Sequence, residues 1–173
     1  MRKQISNCHF GISSAPFTPM PPAATLPQPF SWIRSGRLAI GAFPRQPGHW
    51  QALETCGIQR VFSCCHPSEA AWDPPPHWQS RQLPLPDHRS AEALEEPLLR
   101  QAIHQLTELY AQPQGSLYLH CWAGQERSPL LAVALLCRSE GMPLLEALAL
   151  VRRCHPQAQP IMSQLALLEQ VLG

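Results

Sequence analysis

Apolar residues along this chain fall into two kinds of stretch that alternate. Leu98, Leu99, Ala102, Ile103, Leu106, Leu109 and Tyr110 recur at three- and four-residue steps, which places them on one face of a helix. Pro97 suits a first helical turn, so the pattern predicts a helix from Pro97 to near Gln112. Shorter segments at 37–40, 58–64, 80–83 and 116–120 read as strands. Further helices are expected at 48–56 after Pro47, at 128–140 up to Gly141, at 143–153 opened by Pro143, and at 161–172. Strands separated by helices, with helices gathering at the end, predict a three-layer α/β domain with a central, mostly parallel sheet flanked by helices. Ligands of such sheets bind beyond the carboxyl ends of the strands.

Residues 1–30 break the pattern. Six prolines fall between Pro16 and Pro29, spaced by Ser, Thr, Ala and Gln, which is the composition of an extended or disordered tail. Residues 31–173 are then expected to form a single folded domain, a size that supports a real core. A formal net charge of +1 offers no field for capturing nucleic acid or a membrane surface, so neither is an expected partner. No apolar run reaches the ~18 residues of a membrane span. Met1-Arg2-Lys3 is not followed by an apolar stretch, so no secretory signal is expected. Seven cysteines, an odd count without paired spacing, point to a reducing cytoplasm rather than a disulfide framework or zinc site. Cys64-Cys65-His66 closes a core strand, but adjacent ligands cannot by themselves close a tetrahedral site, and they read as structural thiols. No metal and no cofactor is expected.

Residues 120–128, His-Cys-Trp-Ala-Gly-Gln-Glu-Arg-Ser, carry the chemistry. An apolar strand leads in and an apolar helix leads out. The five residues between Cys121 and Arg127 can curl the backbone into a cup whose N–H groups point inward, with a helix N-terminus at its floor. Trp122, Ala123, Gly124, Gln125, Glu126 and Arg127 would line that cup and hold a phosphate dianion. A cysteine in such a place acts as a nucleophile on phosphorus, forming a cysteinyl-phosphate. Arg127 can hold two equatorial oxygens bidentately through the transition state. Ser128 can donate its hydroxyl to the sulfur and ease its departure. His120 is expected to fix the loop through backbone hydrogen bonds, and Trp122 either meets substrate or packs inward.

The segment resembles the signature of cysteine-dependent protein phosphatases, His-Cys-five residues-Arg-Ser/Thr, and is similar to that of the compact dual-specificity branch. The likeness extends over about residues 32–172 and includes Gly36-Arg37-Leu38-Ala39-Ile40-Gly41 and Gly57-Ile58-Gln59-Arg60-Val61-Phe62-Ser63. It implies a phosphoric monoester hydrolase whose leaving oxygen takes a proton from an aspartate on a loop upstream. The chain has only two aspartates. Asp87 follows a strand on the proline-stiffened stretch Leu83-Pro84-Leu85-Pro86, 34 residues before Cys121, whereas Asp73 precedes three prolines with no strand to place it. Asp87 is therefore the expected general acid. Glu126 departs from the small residue common before the arginine, and it is expected to point away from the bound anion. The segment 155–160 falls where related enzymes bring a loop to the site, as a plain turn or with Gln157 or Gln159 orienting water.

The expected partner is a phosphorylated substrate, a phosphoprotein first. Phosphoglucan, RNA 5′-phosphate and phosphoinositide substrates stay open, the last weakened because the cup has no lysine. A phosphate-binding pseudophosphatase or adaptor would need neither nucleophile nor acid. A sulfurtransferase or arsenate reductase would not call for the His, Ser and upstream acid together.

Overall fold

The computed structural model describes residues 25–173. Most of the expected tail, residues 1–24, lies outside the described residues. Five strands form one sheet: β1 (Phe30–Arg34), β2 (Leu38–Ala42), β3 (Ile58–Ser63), β4 (Gln79–Gln82) and β5 (Ser116–Cys121), in the order β1-β2-β5-β3-β4. The pairs β2–β5, β5–β3 and β3–β4 are parallel, and β1 adds an antiparallel edge against β2. The helices are α1 (Pro47–Thr55), α2 (Glu96–Ala111), α3 (Arg127–Glu140), α4 (Leu144–Cys154) and α5 (Met162–Leu172).

Period-two alternation divides each central strand between two apolar layers. Leu38, Ile40, Phe62, Leu117 and Leu119 join the buried residues of α2, α3, α4 and α5. Ala39, Val61 and Tyr118 turn the other way, onto Leu53 of α1 and a set of aromatic rings that includes Trp50, Trp72 and Trp78. The result is the three-layer arrangement expected from the alternation of elements. Strand β1 was not anticipated. Leu26, Phe30 and Trp32 pack against the α1-side layer, with Phe30 stacked on Tyr118 at 5.8 Å. The expected boundary between residues 30 and 31 therefore falls inside a strand, hidden in the sequence by the prolines beside it.

The end of α2 has its own device. Arg60 is 2 % exposed within β3, and its guanidinium donates to the carbonyls of Leu109, Tyr110, Gln112 and Gly115 at 2.6–3.0 Å. The first three belong to the last turn and cap of α2, where a helix end leaves carbonyls without partners, and a cation there also suits the helix dipole. The buried charge thus ends α2 and delivers the chain to β5. The register then aligns three strand ends: Ala42 of β2 lies beside Cys121, and Ser63 of β3 beside His120.

Candidate active site

Strand β5 ends at Cys121, and Arg127 opens α3, so the intervening residues make a tight loop over the helix N-terminus. Gly124 is obligatory there. Its φ of +70° lies in the left-handed region, and a Cβ would come within 2.5 Å of the Gly41 carbonyl carbon. Two other elements brace the loop. His155, fully buried after α4, places Nε2 2.8 Å from the Gly124 carbonyl and Nδ1 2.8 Å from the Ser31 hydroxyl of β1. A carbonyl only accepts, so Nε2 carries the hydrogen and Nδ1 accepts from Ser31. Gln159 donates its backbone N–H to the Gln125 carbonyl at 2.6 Å. The 155–160 segment thus supports the cup, with its main chain and a histidine making the bonds.

Cys121 is 2 % exposed, and the Ser128 hydroxyl lies 3.4 Å from its sulfur. Arg127 is 3 % exposed. Its Nη1 donates to Glu69 Oε2 at 2.7 Å and to the Cys64 and Leu85 carbonyls at 3.2 Å, and its Nη2 donates to Glu69 Oε1 at 2.8 Å. Nε is buried without a partner among the described residues. One edge of the guanidinium is therefore clamped, and Nε–H with the second N–H of Nη2 forms an edge that makes no hydrogen bond among the described residues. Asp87 Oδ2 lies 3.5 Å from Arg127 Nη2. A cleft of about 660 Å³ opens beside Arg127, lined in part by Glu69, Leu85, Asp87 and Arg89. Glu126 points to the loop that carries Asp87, where its Oε2 is 2.7 Å from His88 Nδ1. Trp122 stacks on Phe43 at 5.9 Å and carries the Arg45 guanidinium 4.4 Å above its ring. Asp73 is exposed and makes no ion pair or hydrogen bond among the described residues.

The sequence model described as "Dual specificity phosphatase, catalytic domain" matches residues 40–171. The chain belongs to the dual-specificity phosphatase family. It is a cysteine-dependent phosphatase of the tyrosine and dual-specificity type. Solved structures share the fold at lower identity. Tk-PTP in its active form is similar at 23 % identity, over 88 % of this chain and 98 % of its own, with a TM-score of 0.69. PTPMT1 in complex with PI(5)P is similar at 17 % identity, over 83 % and 94 %, with a TM-score of 0.69. Human DUSP28 is similar at 20 % identity, over 86 % and 96 %, with a TM-score of 0.67.

Within this phosphatase the electrostatics are uneven. Burial pushes Asp87 up, but bonds from the Arg89 side chain and backbone, with the Arg127 charge, outweigh it and bring it to about 2. Arg89 donates to Asp87 through its backbone N–H at 2.9 Å, Nε at 3.0 Å and Nη2 at 2.5 Å. Burial likewise raises Glu69, yet the Arg127 bonds and the His66 N–H leave it lowered. Desolvation carries the Cys65 thiol up to about 12, and Cys64 rises by the same cause. Among the described residues no group of three or more His, Cys, Asp or Glu is placed to hold a metal.

His120 requires a correction. Among the described residues neither ring nitrogen makes a hydrogen bond of ordinary geometry. The ring is instead packed 5.5–5.6 Å from Phe43, Trp72 and Tyr118, and burial lowers it to about 3. It fills the aromatic layer, and the Cys121 backbone beside it works against the lowering. Glu69 and His155 escaped the sequence reading. Glu69 carried one usable signal, its place a few residues past the carboxyl end of β3, where ligand sites of parallel sheets gather.

Proposed function

We propose that the chain hydrolyses phosphoprotein monoesters through a cysteinyl-phosphate, with Asp87 as general acid and base. The Cys121 sulfur attacks phosphorus as the thiolate, so an S–P bond forms while the bond to the ester oxygen breaks. Asp87, protonated in the complex, gives its proton to that oxygen. Arg127 Nε and the cup's backbone N–H groups hold the equatorial oxygens. Water then attacks the intermediate, Asp87 takes its proton, and the sulfur leaves as a thiolate bonded by the Ser128 hydroxyl. The observation that carries this reading is the Arg127 guanidinium, fixed by Glu69 on one edge with Nε unpartnered beside the loop.

As it stands, Asp87 is ionised by Arg89 and Arg127. A dianion in the cup would claim Arg127 and raise the proton affinity of the neighbouring carboxyl. Arg89, 56 % exposed, can swing away to let the proton on. If it never leaves, the site binds phosphate without turning it over, which is the adaptor reading. The basic side chains of the acid loop already have partners, Arg89 in Asp87 and Glu69 and His88 in Glu126, which supports a singly phosphorylated substrate over a polyphosphorylated lipid headgroup. The likeness to PTPMT1, solved with PI(5)P, keeps the lipid reading alive.

The test is a screen of purified protein against phosphopeptides, phosphoinositides, phosphoglucan and RNA 5′-phosphates, with Cys121→Ser as control. Turnover of phosphopeptides, lost in the control, supports the proposal. Turnover confined to another class replaces the substrate assignment. Binding without turnover in both proteins makes the chain an adaptor.

A further inference from the structure

Glu126 occupies the last position of the cup and the N-cap of α3, where an acidic side chain ordinarily serves the helix. Here it makes no cap bond. Its carboxylate reaches His88, on the loop that carries Asp87, at 2.7 Å. The Glu126 side chain is 12 % exposed and its Oε1 is buried without a partner, whereas the His88 ring is 67 % exposed and makes no other hydrogen bond among the described residues. An ionised carboxylate only accepts, so His88 Nδ1 carries the hydrogen.

The acid loop is held at three successive residues. Gln164 of α5 donates to the Pro86 carbonyl at 3.3 Å. Asp87 is held by Arg89 and lies 3.5 Å from Arg127. His88 is held by Glu126. On the mechanism proposed above, the middle attachment cannot survive the reaction. Phosphate must take over the free edge of Arg127, and Arg89 must release Asp87 before it can hold a proton. The Glu126–His88 bond involves neither group. With the Arg127 Nη1 bond to the Leu85 carbonyl on the near side of Asp87, it is a tie between cup and acid loop that can persist through both steps, and it is the one among the described residues that holds the far side of Asp87.

We infer that Glu126 is a positioning residue that keeps the acid loop fastened to the phosphate cup through His88, so that Asp87 remains in reach of the leaving oxygen once Arg89 has let it go. This inference rests on the catalytic reading of Asp87. It also accounts for an acidic residue in a loop that binds a dianion: the charge is directed at the neighbouring loop.

The experiment compares an activated coumarin phosphate with an unactivated aryl phosphate, using the full chain. His88→Ala should slow the unactivated ester about 10- to 100-fold, a fraction of the ~10²–10⁴ that general acid catalysis supplies, and should change the activated one less than about 3-fold. Affinity for vanadate should hold. Glu126→Ala should show the same selectivity for poor leaving groups, and the double variant should be no slower than the worse single one. His88→Asn and Glu126→Gln, which keep a donor and an acceptor in place, should restore most of the rate. In an Asp87→Asn background neither alanine should matter further. Equal slowing of both substrates, or a large rise in KM, would overturn the inference and make Glu126 part of the cup's own shape. Unchanged rates for His88→Ala would overturn it too, and this exposed position folds whatever Glu126→Ala does. If Asp87→Asn itself proves indifferent to the leaving group, the catalytic reading has failed and takes this inference with it.

Discussion

The two halves of this site are built in opposite ways. The cup is consecutive sequence, residues 121–128, with Cys121 and Arg127 at 2 % and 3 % exposure and its shape set by main-chain bonds, a left-handed glycine and a buried histidine. The acid side is assembled from side-chain pairs, a local one between Asp87 and Arg89 and others that reach Glu69, Glu126 and Arg127, with its outer members Arg89 and His88 at 56 % and 67 % exposure. Burial and main-chain bonding make the first half a fixed receptor. Exposed side-chain pairs, each worth little alone, make the second half adjustable. A phosphatase needs both properties: a charge cradle that does not reorganise, and an acid that must gain and lose a proton.

The comparison predicts that damage to the cup is indiscriminate, while damage to the acid side depends on the substrate. Cys121→Ser should abolish turnover of every ester, since no cysteinyl-phosphate can form, and Arg127→Ala should slow activated and unactivated esters alike, by ~10³ or more. Single-turnover kinetics with trapping of the labelled intermediate would check this. Residual activity of Cys121→Ser on any ester would show that another group attacks phosphorus. Asp87→Asn comes next, with a loss of ~10²–10⁴ on unactivated aryl or alkyl phosphates and much less on a fluorinated coumarin phosphate. A flat response across leaving groups, or an effect of Asp73→Asn in its place, would dissolve the division between the halves.

That division also governs what the sequence reveals. The cup is legible because its chemistry is written in adjacent positions whose spacing dictates strand, loop and helix. Asp87 could be chosen because only one rival existed and Asp73 lacked a strand. Glu69 could not be assigned its partner: it meets Arg127 across 58 residues, and the β3 and β5 pairing that brings them together is a property of the sheet. His155 is similar, since its two hydrogen bonds reach residues 31 and 124 positions away. Strand β1 was hidden because its apolar members, Phe30, Trp32 and Ile33, directly follow a run of prolines. Arg60 was read as one more residue of a buried strand, and its task becomes visible only when the end of α2 lies beside it.

Glu69 joins the two halves, holding Arg127 with both oxygens and Arg89 with one. Glu69→Gln keeps the shape but loses the charge and one acceptor. It should cost about 1–3 kcal/mol of stability, as for a buried cation left partly unsatisfied. It should also reduce turnover of activated and unactivated esters together, because the damage passes through Arg127. Thermal unfolding alongside kinetics on both esters would measure the two effects. A loss restricted to poor leaving groups would place Glu69 with the acid instead.

The smallest effect should come from Arg89, and it tests whether the adjustable half is tuned by charge. Asp87 is held at about 2, below its ordinary 3.8, so the folded state binds its proton less readily than the unfolded chain does. A depressed carboxyl contributes stability that is complete above the unfolded value and is lost as pH falls through the folded one. In wild type this contribution should therefore be present at pH 5 and fade between about pH 4 and pH 2. Arg89→Ala removes the main cause of the depression and leaves Arg127 alone beside Asp87. The difference in stability between the two proteins should be on the order of 1 kcal/mol near neutrality, discounted for the exposure of Arg89, and should shrink towards zero at pH 2. Urea unfolding at stepped pH measures this as a difference, so that other carboxylates such as Glu69 cancel. A gap that stays constant down to pH 2 would mean that Arg89 acts through packing, and that the ion pair does not set the charge of the acid.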